Sequence, residues 1–97
     1  MIHLTHSTRI FLATRPIDFR KQIDGVAAYC KNELQHNPRS GALFVFMNRA
    51  RTMLRILHHD GSGYWLATKR LSQGHFPAFQ NAGKPLTAIE SARLMVL

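Results

Sequence analysis

The sequence predicts an α+β fold: a mostly antiparallel sheet of about four strands, ordered strand, helix, strand, strand, strand, helix, with the helices packed on one face. Three observations predict it. A stripe of apolar residues at helical spacing follows a short apolar stretch near the N-terminus. Three apolar runs of strand length then follow one another, separated by turn chemistry. A capping-box pattern opens the C-terminal segment. The length of 97 residues suits one compact domain, residues 1–97.

Residues 9–14, RIFLAT, alternate weakly and read as the first strand. RPID at 15–18 is a turn leading into a helix that Asp18 can cap, although a start a few residues later is also open. Ile23, Val26, Ala27, Cys30 and Leu34 then share one helical face. Gly25 interrupts this helix at a cost of roughly 1 kcal/mol against alanine, which close packing on a sheet would explain. The helix is expected to end near QHNP, 35–38, where proline cannot continue it and asparagine tolerates a left-handed cap.

GALFVFMN at 41–48 is a strand too apolar to face water, so it belongs at the centre of a sheet. RAR at 49–51 is a polar tip, and TMLRILHH at 52–59 is the return strand of the hairpin. DGSG at 60–63 is a second turn, and YWLATKRL at 64–71 the next strand. Residues 72–85 read as loop. TAIESARLMVL at 87–97 reads as a terminal helix capped by Thr87, with Glu90 completing the capping box and Ile89, Ala92, Leu94 and Met95 or Val96 forming its apolar face. The face of the sheet away from the helices is expected to be partly solvated and available for binding.

Thirteen Lys and Arg against five Asp and Glu give a net charge of +8, and nine of those cations are arginine. Arginine suits bidentate contact with phosphate, and a small domain this basic points to nucleic acid. A single cysteine excludes an internal disulfide framework and any multi-cysteine zinc module, and suits a reducing compartment. The opening residues MIHLTHSTR lack a long apolar core, and the run ALFVFM is too short to span a bilayer. The expected location is therefore the cytoplasm, with no membrane partner.

His58, His59 and Asp60 invite a metal reading. Neighbouring residues on a strand point to opposite faces, so the two imidazoles cannot readily share an ion, and Asp60 fits the start of a turn. His3, His6, His36 and His75 show no ligand spacing. Ser62 lies between glycines, but no helix follows as a nucleophile elbow requires. Cys30 lies on the apolar stripe, where packing outweighs reactivity. The acids Asp18, Asp24, Glu33, Asp60 and Glu90 show no spacing that would bring them together around two metals. The chain therefore reads as a non-enzyme with no cofactor and no metal.

The basic residues are better organised, and they form the candidate nucleic-acid-binding set. Arg49 and Arg51 occupy the hairpin tip, Arg55 its return strand, and Lys69 and Arg70 the end of the next strand. Arg20 and Lys21, with Arg15, flank the start of the first helix. Alternation puts Met53, Arg55 and Leu57 on one face of their strand, and Trp65, Ala67 and Lys69 on one face of the next. An Arg55–Trp65–Lys69 combination on the open face could hold a phosphate backbone and stack a base. The competing account makes Trp65 a core residue and the two cations ordinary surface.

DFRKQIDGV at 18–26, SGALFVFMNR at 40–49, LHHDGSGYWL at 57–66 and KRLSQGHFP at 69–77 together resemble a known family. It is the small accessory protein TnpB, product of the second open reading frame of insertion sequences of the insertion-sequence-66 type. The resemblance runs from about residue 9 to the C-terminus, in order and spacing. It implies a role in transposition beside a separate, larger transposase that carries the catalytic acids, with no catalytic activity, cofactor or metal of its own. Family members commonly carry aromatic residues where His58 and His59 stand, which agrees with a strand end. The combined expectation is a non-catalytic, nucleoid-associated bacterial protein that binds DNA at transposon ends. Its other partners would be the transposase and the element's other accessory protein. The alternative is a protein–protein adaptor docking on the transposase without specific DNA binding.

Overall fold

The computed structural model describes residues 8–77 and 83–89. Residues 43–47, Leu-Phe-Val-Phe-Met, offer no polar side chain to either face. The strand they form, β2 (Leu43–Met47), lies mid-sheet with every residue buried. Around it the described residues form β1 (Ile10–Ala13), the helix α1 (Ile23–Asn32), β3 (Met53–His59), β4 (Tyr64–Arg70) and β5 (Leu86–Ile89). The strand order is β4-β3-β2-β1-β5. β1 runs parallel to β2, with Ile10 beside Leu43, and the other pairings are antiparallel.

This corrects the expected architecture. Among the described residues the sheet is mixed and five-stranded, and one helix, α1, packs on it. A strand followed by a helix and then an adjacent strand is a crossover connection, which produces parallel pairing. The segment read as the start of a terminal helix is instead β5. Thr87 pairs with Leu12, and Ile89 with Ile10, rather than capping a helix. Glu90, Ala92, Leu94, Met95 and Val96 lie outside the described residues. The local capping pattern lost to pairing with β1, whose outer edge β5 covers.

α1 presents Val26, Ala27 and Cys30 to Phe44, Phe46 and Leu57, with Leu34 and Ile17 completing that core. The opposite face is also closed near its centre. Ile10, Leu12, Leu43, Val45, Met47 and Leu54 pack with Phe76, which returns from the segment after β4. The expectation of an open second face thus fails at β1 and β2 and survives only toward β4, where Trp65 is 46% exposed.

The ends of α1 differ from expectation. Gln22 occupies the N-cap position without a side-chain cap, while Asp18 turns to Arg20. The left-handed residue after the helix is Gln35 (φ 55°), not an asparagine. Gly25 does not approach the sheet. A Cβ there would meet only the Lys21 side chain, at 3.4 Å and beyond.

Candidate nucleic-acid interface

The HHD stretch resolves as a strand end running into a tight turn. His58 sits directly across from Trp65, and His59 across from Tyr64, on opposite faces of the sheet. The His59 ring meets Tyr64 edge-on at 4.8 Å, and its Nδ1 accepts from the Gly61 amide. Asp60 Oδ1 accepts from the Ser62 amide, the Ser62 hydroxyl and the Gly63 amide, while Oδ2 accepts from the Trp65 indole at 2.8 Å. These donors, the Ser62 amide foremost, hold the carboxyl far below the usual carboxylate range. Among the described residues no group of three or more His, Cys, Asp or Glu is placed to hold a metal.

The opposite end of the sheet collects most of the described cations. There β1 ends, β2 turns into β3, β4 ends and β5 begins, so residues 14–22, 48–52, 69–71 and 83–85 come together. Backbone bonds tie them: Ile17 N to Met47 O, Thr14 N to Pro85 O, and Leu71 N to Thr52 O. These stretches contain Arg15, Arg20, Lys21, Arg49, Arg51, Lys69, Arg70 and Lys84, and a single acid, Asp18.

That acid is already matched. Arg20 Nε and Nη2 reach both Asp18 oxygens, the shortest contact being 2.7 Å, and the Arg20 amide donates to Oδ1. The Arg20 side chain, followed by its amide, lowers the Asp18 carboxyl to about 2. Arg20 remains 91% exposed in its side chain, so it meets Asp18 with one edge of its guanidinium while the rest faces solvent. A cleft of about 470 Å³ separates this turn from the hairpin tip, lined by Pro16, Asp18, Phe19 and Arg20 on one side and by Asn48, Arg49 and Ala50 on the other.

The tip itself is held by Asn48. Its Oδ1 accepts from the Thr52 and Met53 amides at 2.9 and 3.0 Å, and its Nδ2 donates to the Thr52 hydroxyl. Arg51 sits in the left-handed region (φ 60°), with its carbonyl accepting from the Phe76 amide at 2.7 Å. A non-glycine residue in that region costs energy and persists where surrounding bonds determine it. Arg49 and Arg51 are thereby presented on a braced loop.

Arg55 behaves differently from the other candidates. Its Nη1 donates to the Lys21 carbonyl at 2.9 Å, its Nε to the Thr68 hydroxyl at 3.3 Å, and its guanidinium lies 4.7 Å from the centre of the Phe19 ring. It fastens the segment before α1 to the sheet. The proposed Arg55–Trp65–Lys69 face does not form. Arg55 is paired with Thr68, while Trp65 and Lys69 stand across from His58 and Leu54 on the other face.

Of the sequence-based candidates, the structure thus gathers Arg20, Lys21, Arg49, Arg51, Lys69 and Arg70 at one end and gives Arg55 a bracing position behind them. The sequence reading missed Lys84, which β5 delivers to this end, and Asn48, whose side chain shapes the tip. An Asx-type turn at Asn48 was readable from turn chemistry. Lys84 had no local signal. Among the described residues no helix is long and apolar enough to cross a membrane.

The family model described as IS66 Orf2-like protein matches residues 8–97. Two uncharacterized proteins of Sinorhizobium fredii (strain NBRC 101917 / NGR234) are similar to the chain. One, y4jC, is 40% identical over 76 residues, covering 78% of this chain and 65% of its own length, just under two thirds. The other, y4hO, is 34% identical over 97 residues, covering 100% of this chain and 84% of its own length. No solved structure matches.

Proposed function

The chain belongs to the family of IS66 Orf2-like proteins, and from that membership we propose that it is a non-catalytic accessory protein of insertion-sequence transposition that binds DNA with the basic end of its sheet. The observation that carries this reading is the charge at that end: Arg15, Arg20, Lys21, Arg49, Arg51, Arg70 and Lys84 converge there, and the one acid of those stretches, Asp18, is taken up by Arg20. The braced tip and the Arg20 turn, on either side of a cleft, offer arginines at fixed positions to successive phosphates. Arg55 serves as a positioning residue for Lys21 and Phe19. The duplex at the transposon ends is the ligand, and the element's transposase and its other accessory protein are the partners in the same complex.

Fluorescence anisotropy with transposon-end and scrambled duplexes, repeated across salt concentrations, tests the reading. Phosphate contacts give a steep negative slope of log affinity on log salt. Changing Arg49 and Arg51 together to alanine is expected to flatten that slope by about two units and to weaken all sequences alike. A slope near zero for the native protein removes DNA as the ligand and leaves docking on the transposase as the function. An unchanged slope in the double variant removes the tip from the interface.

A further inference from the structure

β4 forms one border of the sheet, and its inner side is fully used. Hydrogen bonds from Asp60 N to Gly63 O and from Leu71 N to Thr52 O bracket its ladder with β3, which runs in unbroken register from His59 beside Tyr64 to Met53 beside Arg70. Antiparallel pairs alternate between hydrogen-bonded and non-hydrogen-bonded. The bracketing bonds therefore assign the inward backbone groups to Trp65, Ala67 and Lys69. Those of Tyr64, Leu66, Thr68 and Arg70 point outward, where no described strand pairs with them.

We propose that this border pairs with the same border of a second copy of the chain, antiparallel about a two-fold axis at Ala67. That register sets Leu66 against Thr68 and Tyr64 against Arg70, so every outward amide and carbonyl of the strand finds a partner. Moving the axis to Leu66 leaves Arg70 without a strand partner, and moving it to Thr68 does the same to Tyr64.

The side chains suit the same axis. On one face Trp65 lies across from Lys69 of the second copy, and on the other Tyr64 lies across from Arg70. Each cation thus meets an aromatic ring rather than another cation. At the axis the small, exposed Ala67 faces itself in a non-hydrogen-bonded pair, where Cα atoms approach to about 4.5 Å. Two five-stranded sheets become one continuous sheet. The two basic ends then face away from each other, with the Arg70 positions about 20 Å apart along the strands. The competing role for Lys69 and Arg70 is to blunt a free edge against pairing.

Light scattering on the purified protein at about 50 µM distinguishes these. The expected mass is twice the 11.1 kDa of the chain. Ala67→Lys sets like charges face to face at the axis and is expected to give a monomer with an unchanged circular dichroism spectrum, because Ala67 is exposed. In oxidised glutathione, Ala67→Cys is expected to form a disulfide-linked dimer, the two thiols joining as glutathione is reduced, since the Cα separation lies within disulfide range. Ser72→Cys, exposed but far from its own copy in this register, is expected not to, and the buried Cys30 adds no background. A native mass of one chain, a dimeric Ala67→Lys, or equal cross-linking through Ser72→Cys would each overturn the proposal.

Discussion

Replacing Arg55 by methionine keeps the aliphatic stem and removes only the guanidinium. Three interactions go with it: the bond to the Lys21 carbonyl, the bond to the Thr68 hydroxyl and the stacking over Phe19. A hydrogen bond from a charged donor contributes about 1.5–3 kcal/mol, and a cation over a partly exposed ring about 0.5–1 kcal/mol. Lys21 is exposed, so water can replace the lost donor at its carbonyl and the first figure falls to its low end. The 3.3 Å bond to Thr68 is long and adds little. The sum is about 2 kcal/mol. For a domain of this size that lowers the melting temperature by about 8–16 °C. Arg55→Lys restores the charge but not the planar fork, and should recover little of the loss. The assay is thermal unfolding by circular dichroism, paired with the salt dependence of DNA binding well below the melting temperature. A bracing role predicts lost stability without the one-unit loss of slope that a phosphate contact would give. Arg55→Met melting within about 2 °C of the native protein, with the slope reduced by about one unit, would refute the reasoning and return Arg55 to the proposed DNA-contacting set.

Gly25→Ala should raise stability by about 1 kcal/mol, seen as a melting temperature about 4–8 °C higher, because the new Cβ meets only a flexible lysine at ordinary contact distance; a fall would mean the helix sits closer to a neighbour than the structure has it. The Asp18 carboxyl stands at about 2 in the folded protein against an ordinary 3.8, so the ion pair's contribution is complete above about pH 4 and is lost as pH falls through about 2. A carbon NMR titration of Asp18 should show its midpoint moving up toward 3.8 in Arg20→Ala, and an unmoved midpoint would separate the two residues in solution. Burial pushes the Cys30 thiol up to about 12, so an aromatic disulfide reagent at pH 8 should label it only as fast as the protein unfolds, whereas immediate labelling of the native protein would show that α1 does not cover it.

How much of this was legible in the sequence differs between neighbouring elements. Alternation and turn chemistry are local signals, and they placed β3, β4 and the DGSG turn, because a hairpin pairs residues that are close in the chain. The same turn even carried the register. With Asp60 bonded to Gly63, counting back pairs Arg55 with Thr68, which already separates Arg55 from Trp65 and Lys69. Faces judged strand by strand without that count put the three together. Family membership was likewise readable from spaced stretches of sequence.

By itself, then, the sequence determined the excess of positive charge, the central buried strand, the helix stripe of Val26, Ala27 and Cys30, and the divergence of His58 and His59. Tertiary structure alone decided where β5 goes. Thr87 with Glu90 is a sound local start for a helix, but the border of β1 offers Leu86 to Ile89 a full antiparallel ladder, and a partner more than seventy positions away leaves no local trace. The gathering of Arg20, Arg49, Arg70 and Lys84 at one end follows from the same pairings. Charge is a property of the chain; its concentration at one place depends on which strands lie side by side, and non-local burial and hydrogen bonding settle that order.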